Sequence, residues 1–412
     1  MESSSSFLPP NKIAIVHEWF SSKANGGAEK VVKAIDKKIS SKGSKADLFS
    51  LIDTESHRHD SWLFGREINT SFIQKLPFGP SNVQTFLPLL PLAIEQFDVS
   101  SYDLILSSSH LVAKGIITSP DQLHISYVHS PARYAWDQMH IYLSRSNIVK
   151  SGFGPLVRYN LHKFRLWDQL SALRVDFLFA NSRFTSRRIE KYWGRTSEVI
   201  HPPVNLDRFV HSNERNDFYL ALGRLVPNKR FDLVVKAFNT LGLPLLLVGD
   251  GPEKKYLHKI AGPNIQFLGF QSDKDVVELM SRCRAFVYAG IEDFGIAPVE
   301  AMASGAPVIG FAKGGLLDTV RCFSKVDSEA TGLLFKEQTV KSLVDALLWF
   351  EEKKLWRDFP SEVLRSWSNN FSEEAFSIRF ENALTKAWDL HKKSSYSASK
   401  DPKAIPGFRF GN

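Results

Sequence analysis

The stretch Glu292-Asp293-Phe294-Gly295-Ile296-Ala297-Pro298-Val299-Glu300 follows directly on the apolar run Ala285-Phe286-Val287-Tyr288-Ala289. The apolar run reads as a buried strand, and Gly295 and Pro298 mark where the chain passes from loop to helix. Glycine lets backbone come close to a ligand, and proline suits a first helical turn. Glu292 is therefore expected in the loop and Glu300 about one turn inside the helix. Loop amides and the helix dipole attract an anion, while two carboxylates accept hydrogen bonds from sugar hydroxyls. A nucleotide diphosphate sugar suits such a site.

The same strand-to-helix alternation extends outward in both directions. Around this stretch, strands are expected at 218–225, 245–248, 265–268, 285–289 and 307–310, with helices at 231–241, 252–260 and 273–283. Upstream, strands are expected at 12–19, 46–52, 104–108, 124–128 and 177–181, with a helix at 28–39 after the Gly26-Gly27 turn. This pattern predicts an α/β chain of two consecutive Rossmann-like halves, each a parallel sheet covered on both faces. Pro202-Pro203 marks the boundary, since it disfavours helix and removes two backbone donors. The expected organisation is a flexible N-terminus at 1–11, a first domain at 12–200 and a second at 201–370. A terminal helix follows at 371–393, then a disordered Ser-, Lys-, Pro- and Gly-rich tail at 394–412.

A chain of 412 residues with 43% hydrophobic residues can bury two ordinary cores. Cys283 and Cys322 are the only cysteines, too few for a disulfide framework, which fits a reducing cytosol. The first residues lack a basic start and an apolar signal core, and no apolar stretch reaches the roughly 18 residues of a spanning helix. A soluble or peripheral protein is expected. The net charge of +8 points to an anionic partner. Charge alone leaves nucleic acid, membrane and nucleotide open. Basic residues gather between Arg145 and Arg195, interleaved with Phe153, Leu156, Tyr159, Leu161, Phe164, Leu166 and Trp167. Two readings stand: a surface for anionic lipid, or solvated helix faces whose apolar side is core.

Several further motifs carry chemistry. Gly26-Gly27-Ala28-Glu29 opens a helix, where free amides can approach phosphate. Gly223-Arg224-Leu225 follows a strand and Lys229 opens the next helix; arginine with its planar donors and lysine as a point charge can neutralise a diphosphate. Gly249-Asp250-Gly251-Pro252 turns at the carboxyl edge of the sheet, where open α/β sheets bind ligands. His129 ends a strand. Asp273-Lys274-Asp275 spells a metal-binding Asp-x-Asp, but at a helix start aspartate serves as cap and dipole partner, and no metal site is expected.

Glu292 to Glu300 resembles the EX7E motif of retaining GT-B glycosyltransferases, glycosyltransferase family 4. Ala301-Met302-Ala303-Ser304-Gly305 and Pro307-Val308-Ile309-Gly310 are similar to the family as well, as is Gly-Arg-Leu followed by Lys229, although Arg230 stands where Gly is usual. Gly314-Gly315 and Asp318 resemble a donor-approaching loop. Tyr127 to Asp137, Ser107-Ser108-Ser109-His110 and Val16-His17-Glu18-Trp19 look closest to bacterial O-antigen mannosyltransferases that use GDP-mannose. That group more often has Asp at the position of Glu18 and a longer side chain at that of Ala132. The resemblance implies a GT-B fold with two Rossmann-like domains facing a cleft and a C-terminal helix crossing back to the first domain. It implies a retaining hexosyltransferase moving mannose from GDP-mannose to a growing, lipid-linked glycan, without metal or cofactor, in the cytoplasm or on the inner face of a bacterial plasma membrane. His129, positioning the sugar by its backbone carbonyl, would be catalytic together with Arg224, Lys229 and Glu292. Gly26, Gly27, Gly251, Phe294, Gly295, Ile296 and Glu300 would join Arg224 and Lys229 in holding the donor. Nucleotide sugar and glycan acceptor are then the expected partners, an anionic membrane a peripheral one, and nucleic acid none. A UDP-sugar transferase, or an inactive sugar-nucleotide sensor or scaffold, is the alternative.

Overall fold

The computed structural model describes residues 10, 12–21, 26–145, 149–210, 212, 214–324 and 329–399. The chain divides into two compact units. The first comprises the described residues up to Asn181, then Thr185–Ile200 and the chain from Ser377; the second comprises Ser182–Phe184 and His201–Phe376.

The first unit is built on β1 (Ile13–Phe20), β2 (Ala46–Asp53), β3 (Ile68–Thr70), β4 (Leu104–Ser109), β5 (Leu123–Val128), β6 (Phe177–Ala180) and β7 (Glu198–Val199). These form one sheet in the order β3-β2-β1-β4-β5-β6-β7, and every pairing is parallel. All eight residues of β1 and all six of both β4 and β5 are buried, as expected for strands covered on both faces. Helices α1 (Gly27–Ser40), α2 (Leu90–Glu95), α3 (Met139–Arg145), α4 (Gly154–Leu173) and α5 (Arg183–Trp193) lie along the same stretch of sequence. Val31, Val32, Ile35 and Ile39 give α1 one buried stripe at helical spacing. In the core of this unit Lys114 and Asp168 form an ion pair at 2.6 Å, both fully buried. Asp168 Oδ2 also accepts from the indole N–H groups of Trp136 and Trp193, each at 2.8 Å.

The second unit contains β8 (Tyr219–Leu222), α6 (Phe231–Leu241), β9 (Leu245–Val248), α7 (Lys254–Ile260), β10 (Ile265–Gly269) and α8 (Asp273–Arg282). It continues through β11 (Phe286–Tyr288), α9 (Ile296–Ala303), β12 (Val308–Phe311), α10 (Leu316–Thr319), β13 (Gly332–Phe335), α11 (Val340–Glu352) and α12 (Ser361–Ser368). Its sheet runs β10-β9-β8-β11-β12-β13, again all parallel, the order of a Rossmann unit. β8 ends three residues earlier than expected because Gly223, at φ +148°, leaves the strand conformation.

Helix α13 (Glu373–Ser399) begins in the second unit and joins the first from Ser377 onward. There Phe380 meets Phe179 edge-on at 6.1 Å, and Lys38 of α1 and Lys42 in the turn after it both pair with Glu381. The helix outlasts its expected end at 393: between His391 and Ser399 no glycine or proline interrupts it, so 394–399, expected as disordered tail, are helical. Residues 1–9, 11 and 400–412 of the expected flexible ends lie outside the described residues. No helix among the described residues is long and apolar enough to cross a membrane.

Arg230 occupies the left-handed region at φ +56°, ψ +37°, where it caps α6 and pairs with Asp232 at 2.9 Å. A side chain costs about 1–2 kcal/mol in that conformation, against the 0.5–1 kcal/mol by which glycine's extra freedom usually disfavours it. Arg230→Gly is therefore expected to be more stable than Arg230→Ala by about 0.5–1 kcal/mol, both having lost the Asp232 pair. Urea midpoints of the two variants test this, and an alanine variant as stable as the glycine one would reject it.

Candidate functional site

The expected site residues fall in both units. In the second, β11 delivers the chain into the loop that carries Glu292, and Gly295, at φ +90°, turns it into α9. Glu300 sits inside α9 with its side chain buried, and its Oε1 accepts from Arg208 at 2.7 Å. Arg208 also reaches Asp273 Oδ2 at 2.9 Å. Arg208 escaped the sequence reading, although an arginine directly before an apolar residue downstream of Pro202-Pro203 was there to be seen. Phe294 packs against His201 and Phe371 with ring centroids 5.5 and 5.6 Å away and is 4% exposed. It is core, so the backbone at Phe294 is what the loop can offer a ligand.

The loop is held from behind by Gly314 and Gly315. A Cβ at Gly314 would lie 2.5 Å from the Glu292 carbonyl oxygen and one at Gly315 2.3 Å from Phe294, while the Gly315 amide donates to the Glu292 carbonyl at 2.9 Å. Only glycine permits this approach. Lys229 Nζ stands 3.6 Å from Glu292 Oε1 and 5.6 Å from the centre of the Tyr288 ring. Arg224 is exposed just past the carboxyl end of β8, in the loop that leads to Lys229. Gly251 packs its backbone against Leu225, where a Cβ would meet the carbonyl oxygen at 2.5 Å. Its close approach is thus to protein backbone. Asp275 belongs to the capping box of α8 with Ser272, which gives Asp273-Lys274-Asp275 a structural role.

In the first unit, the carboxyl ends of β1, β4 and β5 gather His17, Glu18, Ser108, His110 and His129. One oxygen of fully buried Glu18 accepts from Ser109 Oγ at 3.1 Å and from the amides of His110, Leu111, Val112 and Ala113 at 2.9–3.1 Å. Its other oxygen lies 3.1 Å from His110 Nδ1 and 3.7 Å from His17 Nδ1. Burial opposes the charge of Glu18, but His110, His17 and the amides outweigh it and hold the carboxyl far below the usual carboxylate range. His110 is shifted up: burial works against its proton and the adjacent Glu18 more than offsets that. His129 is pushed down to about 3, first by burial and then by the His110 and His17 charges, so its imidazole is neutral at pH 7. Its Nε2 is 2.8 Å from Ser108 Oγ.

Two expectations change here. The His129 carbonyl, considered as a sugar contact, already accepts from Asn181 Nδ2 at 2.8 Å and Thr185 Oγ1 at 3.4 Å, leaving the imidazole as the available group. The Gly26 amide, expected to meet phosphate, donates to Glu29 Oε2 at 2.7 Å. Beside this cluster lies a cavity of about 620 Å³ whose walls include Trp19, His110, Arg133, Tyr134, Tyr142 and Leu161. Aromatic and aliphatic walls with two basic groups suit an amphiphilic, anionic ligand.

Residues 205–371 match the family glycosyl transferases group 1. An uncharacterized glycosyltransferase of Methanocaldococcus jannaschii is 26% identical over 65% of this chain and 77% of its own. The GDP-mannose-dependent monoacylated alpha-(1-6)-phosphatidylinositol monomannoside mannosyltransferase of Corynebacterium glutamicum is 28% identical over 42% of this chain. The alpha-1,3/1,6-mannosyltransferase ALG2 of Saccharomyces cerevisiae is 26% identical over 60% of it. The chain spans 52% and 60% of the lengths of these two mannosyltransferases. Among solved structures, sucrose-phosphate synthase from Thermosynechococcus elongatus superposes with a TM-score of 0.69 at 18% identity, over 92% of this chain and 100% of that one. Anabaena HepE in complex with UDP gives 0.65 at 17% identity, over 91% and 100%. The chain thus has the GT-B fold of two Rossmann-like domains, and the matches to its sequence support a group 1 glycosyltransferase.

Proposed function

We propose that this chain is a retaining hexosyltransferase that moves mannose from GDP-mannose to a growing, lipid-linked glycan. The observation that carries the reading is the Lys229–Glu292 pair at 3.6 Å, inside the matched family segment, at the carboxyl edge of a parallel sheet. Lys229 and Arg224 would hold the donor diphosphate and stabilise the charge that develops on it as the glycosidic bond breaks. Glu292 would bind the transferred sugar and Glu300 the ribose hydroxyls. The neutral imidazole of His129 would orient the sugar by hydrogen bonding.

Attack occurs on the face from which the diphosphate leaves, with a diphosphate oxygen taking the acceptor proton; no metal is needed where two cationic side chains meet the leaving group. NMR analysis of the product's anomeric centre would expose inversion and sink this step. Mannose and GDP are favoured by the relatives named as mannosyltransferases, one of them GDP-mannose-dependent. An O-antigen chain mannosyltransferase of Salmonella typhimurium, 28% identical over 35% of this chain, favours a glycan acceptor. A UDP-sugar donor is the second reading, since HepE was solved with UDP.

Thermal unfolding with GDP, UDP, ADP and CDP, with and without magnesium, decides between them, because a ligand that binds only the folded state raises the melting temperature by mass action. A GDP-selective, magnesium-independent rise that disappears in Glu300→Ala is expected. A UDP-selective rise would discard GDP-mannose, and no rise with any nucleotide would discard the transferase reading in favour of a sensor or scaffold with a non-nucleotide ligand.

A further inference from the structure

Helix α4 buries one face and leaves a second apolar face in solvent. Leu161, Phe164, Asp168 and Ala172 point into the first unit. On the opposite side Leu156, Tyr159, Lys163, Leu166, Leu170 and Leu173 recur at alternating spacings of three and four. At 3.6 residues per turn they fall within an arc of about 100°. All six are exposed, and their apolar members are 46–62% exposed. A helix apolar on both sides is normally buried on both, and a continuous exposed apolar stripe marks an interaction surface.

The charge around the stripe selects the partner. Asp168 is the one acidic residue between Met139 and Arg174, and it is fully buried. Exposed Arg158 and His162 flank the stripe along one edge, and Lys163 lies within it with Nζ 5.6 Å from the Tyr159 ring centre. A second copy of this chain would set these cations against one another. An apolar stripe with aromatic and basic residues and no exposed carboxylate is the composition of a helix that lies in the headgroup region of an anionic bilayer. Two neighbours extend the surface. Ile141 and Tyr142 on α3 are also exposed, at 53% and 51%, and Tyr142, Val157 and Leu161 line the 620 Å³ cavity.

We propose that the exposed face of α4, with Ile141 and Tyr142, docks on an anionic phospholipid surface and brings the cavity beside Tyr142 to the headgroup boundary. This surface is independent of which nucleotide sugar the second unit binds.

Flotation of the full chain with vesicles tests the proposal. Vesicles of phosphatidylcholine with about a third phosphatidylglycerol are expected to bind it at least tenfold more tightly than phosphatidylcholine alone, with binding weakened by salt. Leu166→Gln/Leu170→Gln is expected to lower that binding about tenfold or more, because both side chains lose their apolar insertion. Lys163→Glu should lower it on anionic vesicles only. The nucleotide-induced melting shift should be unchanged in all three variants, which separates failure of the surface from failure of the catalytic reading. Absence of binding by the wild type, or equal binding by the double variant, would overturn the proposal. So would a wild-type dimer that the double variant converts to monomer without any vesicle binding.

Discussion

Lys229→Ala is expected to lower kcat about 10²–10³-fold, the usual cost of removing one preorganised group that meets charge developing in a transition state. The lysine is partly exposed, faces Glu292 at 3.6 Å and, among the described residues, pairs with no other carboxylate, so its loss should leave the fold nearly as stable as before. The position is shaped for it: a Cβ at Gly223 would lie 3.1 Å from Lys229 Nζ, and one at Gly290 2.9 Å from the Lys229 Cα. Glycines on two sides thus make room for this side chain and its backbone. Steady-state transfer from the donor identified by thermal shift measures the effect. Activity within about threefold of wild type would reject the role, since oxyanion-type contacts of this kind cost far more when removed.

A second large effect concerns stability rather than chemistry. Lys114→Met should cost about 3–5 kcal/mol, because it leaves the Asp168 carboxylate buried without its cation. The indoles of Trp136 and Trp193 still donate to Asp168, but neutral donors do not replace a charge at 2.6 Å. Lys114 also lies 5.1 and 4.8 Å from the ring centres of Trp167 and Trp193, contacts that methionine's neutral chain would lose. Urea unfolding measures the loss, and a cost below about 1 kcal/mol would place this pair with ordinary surface ion pairs.

Much of the second unit was legible because its elements are locally decided. Helix α6 begins and ends where its apolar spacing and Gly242 place it, with Gly242 in the left-handed conformation at its end, and β9 is a four-residue apolar run. The strand-loop-helix from Ala285 to Glu300 formed as read, with Glu292 in the loop and Glu300 in α9. Elements without a local signature were missed. β3 is three residues long with half-exposed ends, and α12 follows Pro360 in eight residues of mixed character. Helix α4 gave no clean amphipathic period because both of its faces are apolar. The surroundings of Glu18 were illegible for another reason. Its five donors lie 91–95 residues away in the chain, and no spacing rule reaches that far. The His129 carbonyl met the same limit, since Asn181 stands 52 residues downstream.

The amide cluster after β4 and the single Gly26 amide at the start of α1 share a property beyond their separate geometries. Glu18 fills the one after β4, and Glu29 takes the Gly26 amide at the start of α1, with His17 3.7 and 3.8 Å from these two carboxylates. Each is in effect an anion hole supplied with a tethered, permanently resident guest. A free phosphate would therefore have to compete with an intramolecular carboxylate already held at a high effective concentration. Those two sites are thereby closed to casual anions, and shortening or neutralising either glutamate would turn its site into a vacant receptor.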